Sequence, residues 1–173
     1  MSTYHHGELR QAVLQAAGEV LEKEGLEALS VRELARRAGV SHNAPYRHFP
    51  DRASLHAALA AEGFEMLGDA LRSRARREMG EAYVGFALAH PERFRLMFGG
   101  LAGLEPRAGW VYEGLLKSFA DLGEEAPYAA AAAWGLMHGL AHLLLDGHFP
   151  SEDKRRFVRD VLSTVRFSAP RKS

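Results

Sequence analysis

The stretch Gly39-Val40-Ser41-His42-Asn43-Ala44-Pro45-Tyr46-Arg47-His48-Phe49 decides how the whole chain is read. It joins a glycine able to take a left-handed turn to a serine able to cap a new helix. His42, Asn43, Tyr46, Arg47 and His48 then offer hydrogen-bond donors from one short segment. Two readings compete: a solvated surface turn, or the face of a small helical domain that meets DNA. The flanking segments have to choose between them.

Upstream, Leu9, Val13, Ala16, Val20 and Leu21 fall on one face of a helix over 8–24 that Gly25 stops. Ser30 and Glu33 stand at capping-box spacing before a short helix with Val31, Leu34, Ala35 and Ala38 inward. Gly39 and Val40 leave only a tight joint before a third helix over 41–48, the pattern of a helix-turn-helix. Pro45 has no N–H for the Ser41 carbonyl and biases Ala44 away from helical dihedrals. The third helix therefore starts late, capped by Asn43, or has a distorted first turn. On this reading Ser41, Tyr46, His48 and Arg52 contact mainly phosphates, while Arg32, His42, Asn43, Ala44 and Arg47 reach base edges. Core packing is the competing role for Tyr46 and Phe49.

Downstream, Asp51 caps a longer connector helix carrying Leu55, Leu59, Met66, Leu67 and Leu71 into the basic run Arg72 to Arg77. Further helices are expected over 81–90, 91–98, 107–122, 127–146 and 152–167, the last capped by Ser151. No stretch alternates as a strand does, so the fold is all-α with about nine helices. Residues 1–55 would form the helix-turn-helix domain and 56–173 a larger helical bundle.

The 173 residues are 47% hydrophobic and carry no cysteine, which excludes wholesale disorder, disulfides and thiolate metal sites. No apolar run reads as long enough to span a bilayer, and Met1 to His6 lack a signal peptide's apolar core, so the expected location is the cytoplasm. The formal net charge is zero, so affinity for nucleic acid has to be local. Between Ser30 and Leu55, five arginines (32, 36, 37, 47 and 52) face only Glu33 and Asp51.

Phe64, Phe86, Phe94, Phe98, Trp110 and Trp134, with Met97, Phe119 and Met137, either form the bundle's core or wall a small-molecule pocket to which His138 or Tyr112 adds polarity. His138 and His142, four apart on a helix, could share a metal, as in a helical hydrolase. A zinc hydrolase would carry a Glu beside the first His, and here Gly139 follows it. Satisfied core or pocket histidines are the preferred reading, with no catalytic, metal or cofactor residues expected. A third reading is a module that only dimerises.

Residues 30–55, with Ala35, Ala38-Gly39-Val40-Ser41, Tyr46, His48-Phe49 and Leu55 in place, resemble the DNA-binding domain of TetR-family transcriptional regulators. The resemblance implies that 41–48 is the recognition helix and that Arg52 stands where a phosphate-contacting Lys is usual. Asn43 and Pro45 depart from the frequent Gly and Leu, so base specificity does not carry over. Trp134 with His138-Gly139 is similar to the Trp-His-Gly signature of one subgroup, and His90-Pro91-Glu92 and Leu96-Met97-Phe98 are similar to its preceding helices. The resemblance further implies a repressor that binds a palindromic operator as a homodimer and is released by a small molecule. Phe64, Phe86, Phe94, Phe98, Trp110, Trp134 and His138 are the effector candidates. Ala133, Leu136, Leu140, Phe157 and Val161 are the candidates for a dimer interface made by the last two helices.

Overall fold

The structure, a computed structural model, describes residues 6–37, 39–41, 43–72, 74–99, 105–149 and 152–167. Among these, eight α-helices occur and no strand: α1 (His6–Glu24), α2 (Val31–Arg37), α3 (Arg52–Leu71), α4 (Arg76–Ala89), α5 (Pro91–Phe98), α6 (Glu105–Ser118), α7 (Ala126–Leu145) and α8 (Lys154–Thr164). The all-α expectation holds. Two compact units divide the chain, one of residues 1–64 with 90–104, the other of 65–89 with 105–173.

In the first unit, Val13, Ala17, Val20 and Leu21 bury one face of α1, and Leu34, Ala35, Phe49, Leu55 and Leu59 are buried with them. Each such large side chain contributes about 1.5–3 kcal/mol by leaving water. The α2 terminus is a Schellman turn: Gly39 takes φ 66°, Val40 N–H bonds the Ala35 carbonyl at 3.0 Å and Gly39 N–H bonds the Arg36 carbonyl at 3.2 Å. The expected capping box at Ser30 gives way to ion pairing, because Arg36 and Arg37 hold the Glu33 carboxylate at 2.6 and 2.9 Å.

The third helix is the main local correction. Its described part is a single 3₁₀ turn, Pro45–Arg47, after a turn at Asn43 and Ala44. Without an N–H at Pro45, the Ser41 carbonyl is taken one residue early, by Ala44 N–H at 3.0 Å. Ala44 nevertheless stays helical at φ −63°, ψ −43°, and Phe49 N–H closes one α-type bond on the Pro45 carbonyl at 2.9 Å.

A reciprocal capping box does open α3: Ser54 N–H donates to Asp51 Oδ1 at 2.7 Å and Asp51 N–H to Ser54 Oγ at 3.3 Å. The connector ends at Leu71, so the basic run does not finish it; Arg76 and Arg77 instead open α4, five residues before its expected start. The helix expected over 107–122 stops at Ser118, and a 3₁₀ segment Ala120–Glu125 follows. The last helix is capped by Asp153, which accepts Arg156 N–H at 2.9 Å, while the expected cap Ser151 lies outside the described residues.

In the second unit α7 packs on α4 and α6, and α4 on α8. Met137, Leu140, Ala141 and Leu144 bury the inner face of α7. An 18-residue window within 120–145 reaches a mean hydropathy of 1.2, so one described helix is apolar and long enough to cross a bilayer by those criteria, contrary to the sequence expectation. Its alanine run and inner Met and Leu residues explain the value, as they would in the core helix of any bundle.

Candidate nucleic-acid interface and effector unit

The stretch that follows α2 is held from below. Pro45 and Phe49 are buried, Phe49 at 1% exposure, and the Arg10 guanidinium lies 5.5 Å from the Phe49 ring centre. The residues between and before them point outward: Ser41, Asn43, Tyr46 and Arg47 are exposed, as are Arg32 and Arg52, while Ala44, His48 and Val40 are half-buried. His42 lies outside the described residues. Tyr46 is 40% exposed, while Phe49 takes the packing role.

Charge is distributed unevenly among the five arginines. Arg36 and Arg37 are spent on Glu33, and Arg37 also on Glu24 at 2.7 Å. The side-chain hydrogen bonds from Arg36 and then Arg37 hold the Glu33 carboxyl at about 2. Arg52 donates to the Leu26 carbonyl at 2.8 Å and to His56 Nε2 at 3.3 Å, and pairs with Glu27 at 3.3 Å, so its position is set from two sides. Arg32 and Arg47 make no ion pair among the described residues, which leaves their full charge for an anionic partner.

The seven effector candidates are divided between the two units. Phe64, Phe94 and Phe98 belong to the first unit, where the Phe98 ring centre sits 5.4 Å from Phe64 and 5.0 Å from Phe94. Phe86, Trp110, Trp134 and His138 belong to the second. Trp110 lies against Gly68, where an added Cβ would stand 3.2 Å from its ring.

A residue the sequence reading passed over joins two of these. The buried Tyr83 hydroxyl accepts the Trp134 Nε1–H at 3.2 Å and lies 3.0 Å from His138 Nδ1. Which of the two donates in the Tyr83–His138 bond is set by the imidazole tautomer. Burial, and secondarily the neighbouring His142, lowers the His138 pKa, and burial pushes the Tyr83 hydroxyl well above its ordinary value. The signal was present in the spacing, since Met79, Tyr83, Phe86 and Ala87 share one face of α4. The His138 and His142 rings stand 4.7 Å apart, and no group of three potential metal ligands forms among the described residues.

Of the dimer candidates, Ala133 and Leu140 are buried inside their own unit, and Leu136, Phe157 and Val161 are half-buried. The outward face of α7 carries Tyr128 at 72% and Leu143 at 42% exposure, with Ala131, Ala132 and Gly135 between them.

Residues 13–59 match the model for bacterial regulatory proteins of the tetR family, and residues 76–165 that for the tetracyclin repressor-like C-terminal domain. The HTH-type transcriptional repressor KstR of Mycolicibacterium smegmatis is 29% identical over 159 residues, covering 91% of this chain and 72% of KstR. A protein of unknown function from Rhodococcus sp. RHA1 superposes with TM-score 0.74 at 34% identity over 95% of this chain and 96% of that one. AibR in complex with isovaleryl coenzyme A and operator DNA shares the fold at TM-score 0.70 and 14% identity, over 91% of this chain and 98% of AibR. The C-terminal match alone takes in more than half the chain and the N-terminal match covers the helix-turn-helix, so this chain belongs to the TetR family of bacterial transcriptional regulators.

Proposed function

We propose that the chain is a cytoplasmic, non-enzymatic repressor that binds a palindromic operator as a homodimer and leaves it when a small molecule binds. Residues 1–55 would serve as the DNA-binding domain and 56–173 as the effector and dimerisation domain. The observation that carries the reading is the exposed set Asn43, Tyr46 and Arg47 on a turn pinned by buried Pro45 and Phe49, directly after the α2 turn. Arg32, Asn43, Ala44 and Arg47, with His42, would read bases, while Ser41, Tyr46, His48 and Arg52 would hold phosphates. Two such turns, one per protomer, would enter the major groove about 34–36 Å apart, one turn of duplex.

The outer face of α7 supports the dimer. Its small residues Ala131, Ala132 and Gly135 let a second helix approach closely, and the exposed Tyr128 and Leu143 supply the apolar area to cover. AibR, with the same fold, was seen with isovaleryl coenzyme A and operator DNA, and a small molecule and operator DNA are the partners proposed for this chain. Selection of bound sequences from random duplex DNA tests the reading directly. Enrichment of a palindrome is expected, and recovery of no preferred sequence even at low salt would overturn it.

A further inference from the structure

A groove of about 820 Å³ opens within the second unit, and none of the seven effector candidates lines it. Its floor is apolar, made by Leu115, Phe119, Leu136, Met137 and Leu162. Its lining also includes Arg74, Arg76, Arg77 and Arg166, and no carboxylate among the described residues. Gly80 completes a wall, because a Cβ there would stand 3.0 Å from Leu162 Cδ1 and 3.3 Å from Met137 Sδ.

The four arginines are not equivalent. Arg76 is spent on the wall itself: it donates to the Ser118 carbonyl, pairs with Asp121 and lies 4.2 Å over the Phe119 ring. Arg74 and Arg166 donate to backbone carbonyls, Arg74 to Ala70 and Arg166 to Ser163 and Val165. A carbonyl orients a guanidinium without neutralising it, so both keep their charge. Among the described residues Arg77 pairs only with Glu81, at 3.9 Å, and Glu81 is shared with Arg159 at 3.5 Å. Three under-compensated guanidinium groups therefore edge an apolar trough whose volume lies in the roughly 300–1,000 Å³ range of small-molecule sites.

We infer that this groove binds an amphipathic organic anion, with an apolar chain on the Leu, Phe and Met floor and a carboxylate or phosphate held by Arg74, Arg77 and Arg166. The guanidinium fork matches either head group with two parallel hydrogen bonds. A neutral lipid would leave the three charges unanswered, and a duplex backbone would gain nothing from the floor. That the bound anion acts as the effector rests on the proposed ligand-released repressor.

Calorimetric titration of the full chain with dodecanoate, dodecyl phosphate and dodecanol, each below its micellar concentration, tests the inference. Both anions are expected to bind at least about tenfold tighter than the alcohol, and their relative affinities separate a carboxylate from a phosphate ligand. The double variant Arg77→Glu/Arg166→Glu is expected to lose about tenfold or more of anion affinity with dodecanol unchanged. Should that variant fail to fold, Arg166→Ala alone, at an exposed side chain, serves with a loss of about threefold to tenfold. Equal binding of alcohol and anions, or anion binding unchanged in the variants, overturns the groove assignment. So does a variant that weakens binding to the selected DNA with no anion present, because the arginines would then belong to the DNA contact. If dodecanoate binds with the stated arginine dependence yet no such anion releases the DNA, the groove stands and the ligand-released reading falls. If other compounds release DNA from wild type and double variant alike, the ligand-released reading stands and the groove is not its effector site.

Discussion

The Tyr83 hydroxyl and His138 Nδ1 lie 3.0 Å apart inside the second unit, joining α4 to α7 through a bond that the Trp134 indole orients from 3.2 Å. Tyr83 has no exposed surface and its partners Trp134 and His138 are half-buried, so bulk water has little access to the gap left if the hydroxyl is removed. Tyr83→Phe is expected to cost about 1–3 kcal/mol, because it leaves the indole N–H and the imidazole nitrogen without their shared partner. Urea unfolding measures it, and a variant as stable as wild type would show that the network carries no stability.

The same network sets a pH dependence. His138 and the buried His56 both have lowered pKa values, chiefly through burial, then through His142 for the first and Arg52 for the second. In the unfolded chain both return to the ordinary 6.5. As pH falls below that value the unfolded chain takes up protons first, so stability is full above 6.5 and declines below it until the folded rings protonate. Comparing unfolding at about pH 7.5 and about pH 5.5 checks this, and His138→Gln is expected to flatten part of the slope.

Two helical glycines should respond in opposite directions to alanine. An alanine at Gly18 would place Cβ 2.4 Å from Arg93 Nη2, and Arg93 is pinned at 6% exposure by the Leu59 carbonyl at 3.1 Å and Glu62 at 2.8 Å. Gly18→Ala is therefore expected to destabilise by about 1–3 kcal/mol despite its better helix propensity. At Gly114 a Cβ meets nothing within 4 Å, so Gly114→Ala is expected to stabilise by up to about 1 kcal/mol. Thermal melts of the pair decide the matter, and equal shifts would mean that the Arg93 side chain yields freely.

For DNA, Tyr46→Phe and Arg52→Ala are expected to weaken binding to every sequence by similar factors, since phosphate contacts carry no sequence information. Asn43→Ala and Arg47→Ala should instead change which bases are preferred, each by about 1–3 kcal/mol of discrimination. Repeating the selection with each variant reads this out. Unchanged preference in both would remove the base-reading role from the turn.

Helix order and the inward faces of α1, α2 and α3 were legible in the residues, because a period of 3.6 with Gly, Asp and Pro at the ends is a local signal. The third helix was legible only as a doubt at Pro45. A missing N–H is a local fact, but whether the turn starts late, distorts or shrinks to 3₁₀ depends on which neighbour claims the Ser41 carbonyl. The effector side was less legible, since an aromatic list cannot say which rings share a core. Phe64, Phe94 and Phe98 meet in one unit, and Trp134 and His138 meet Tyr83 in the other.

By itself, the sequence determined an all-helical chain with the stretch Gly39 to Phe49 beside a short support helix, from periodicity and caps, and the motif residues of 30–55 carried the resemblance to the TetR family. Tertiary structure alone decided which arginines are spent on carboxylates, as at Arg36 and Arg37, and which keep their charge, as at Arg47 and Arg166. It alone brought the Arg74 to Arg77 run and Arg166 to one apolar groove. Charge compensation and cavity shape depend on residues far apart in the chain, so no local pattern encodes them.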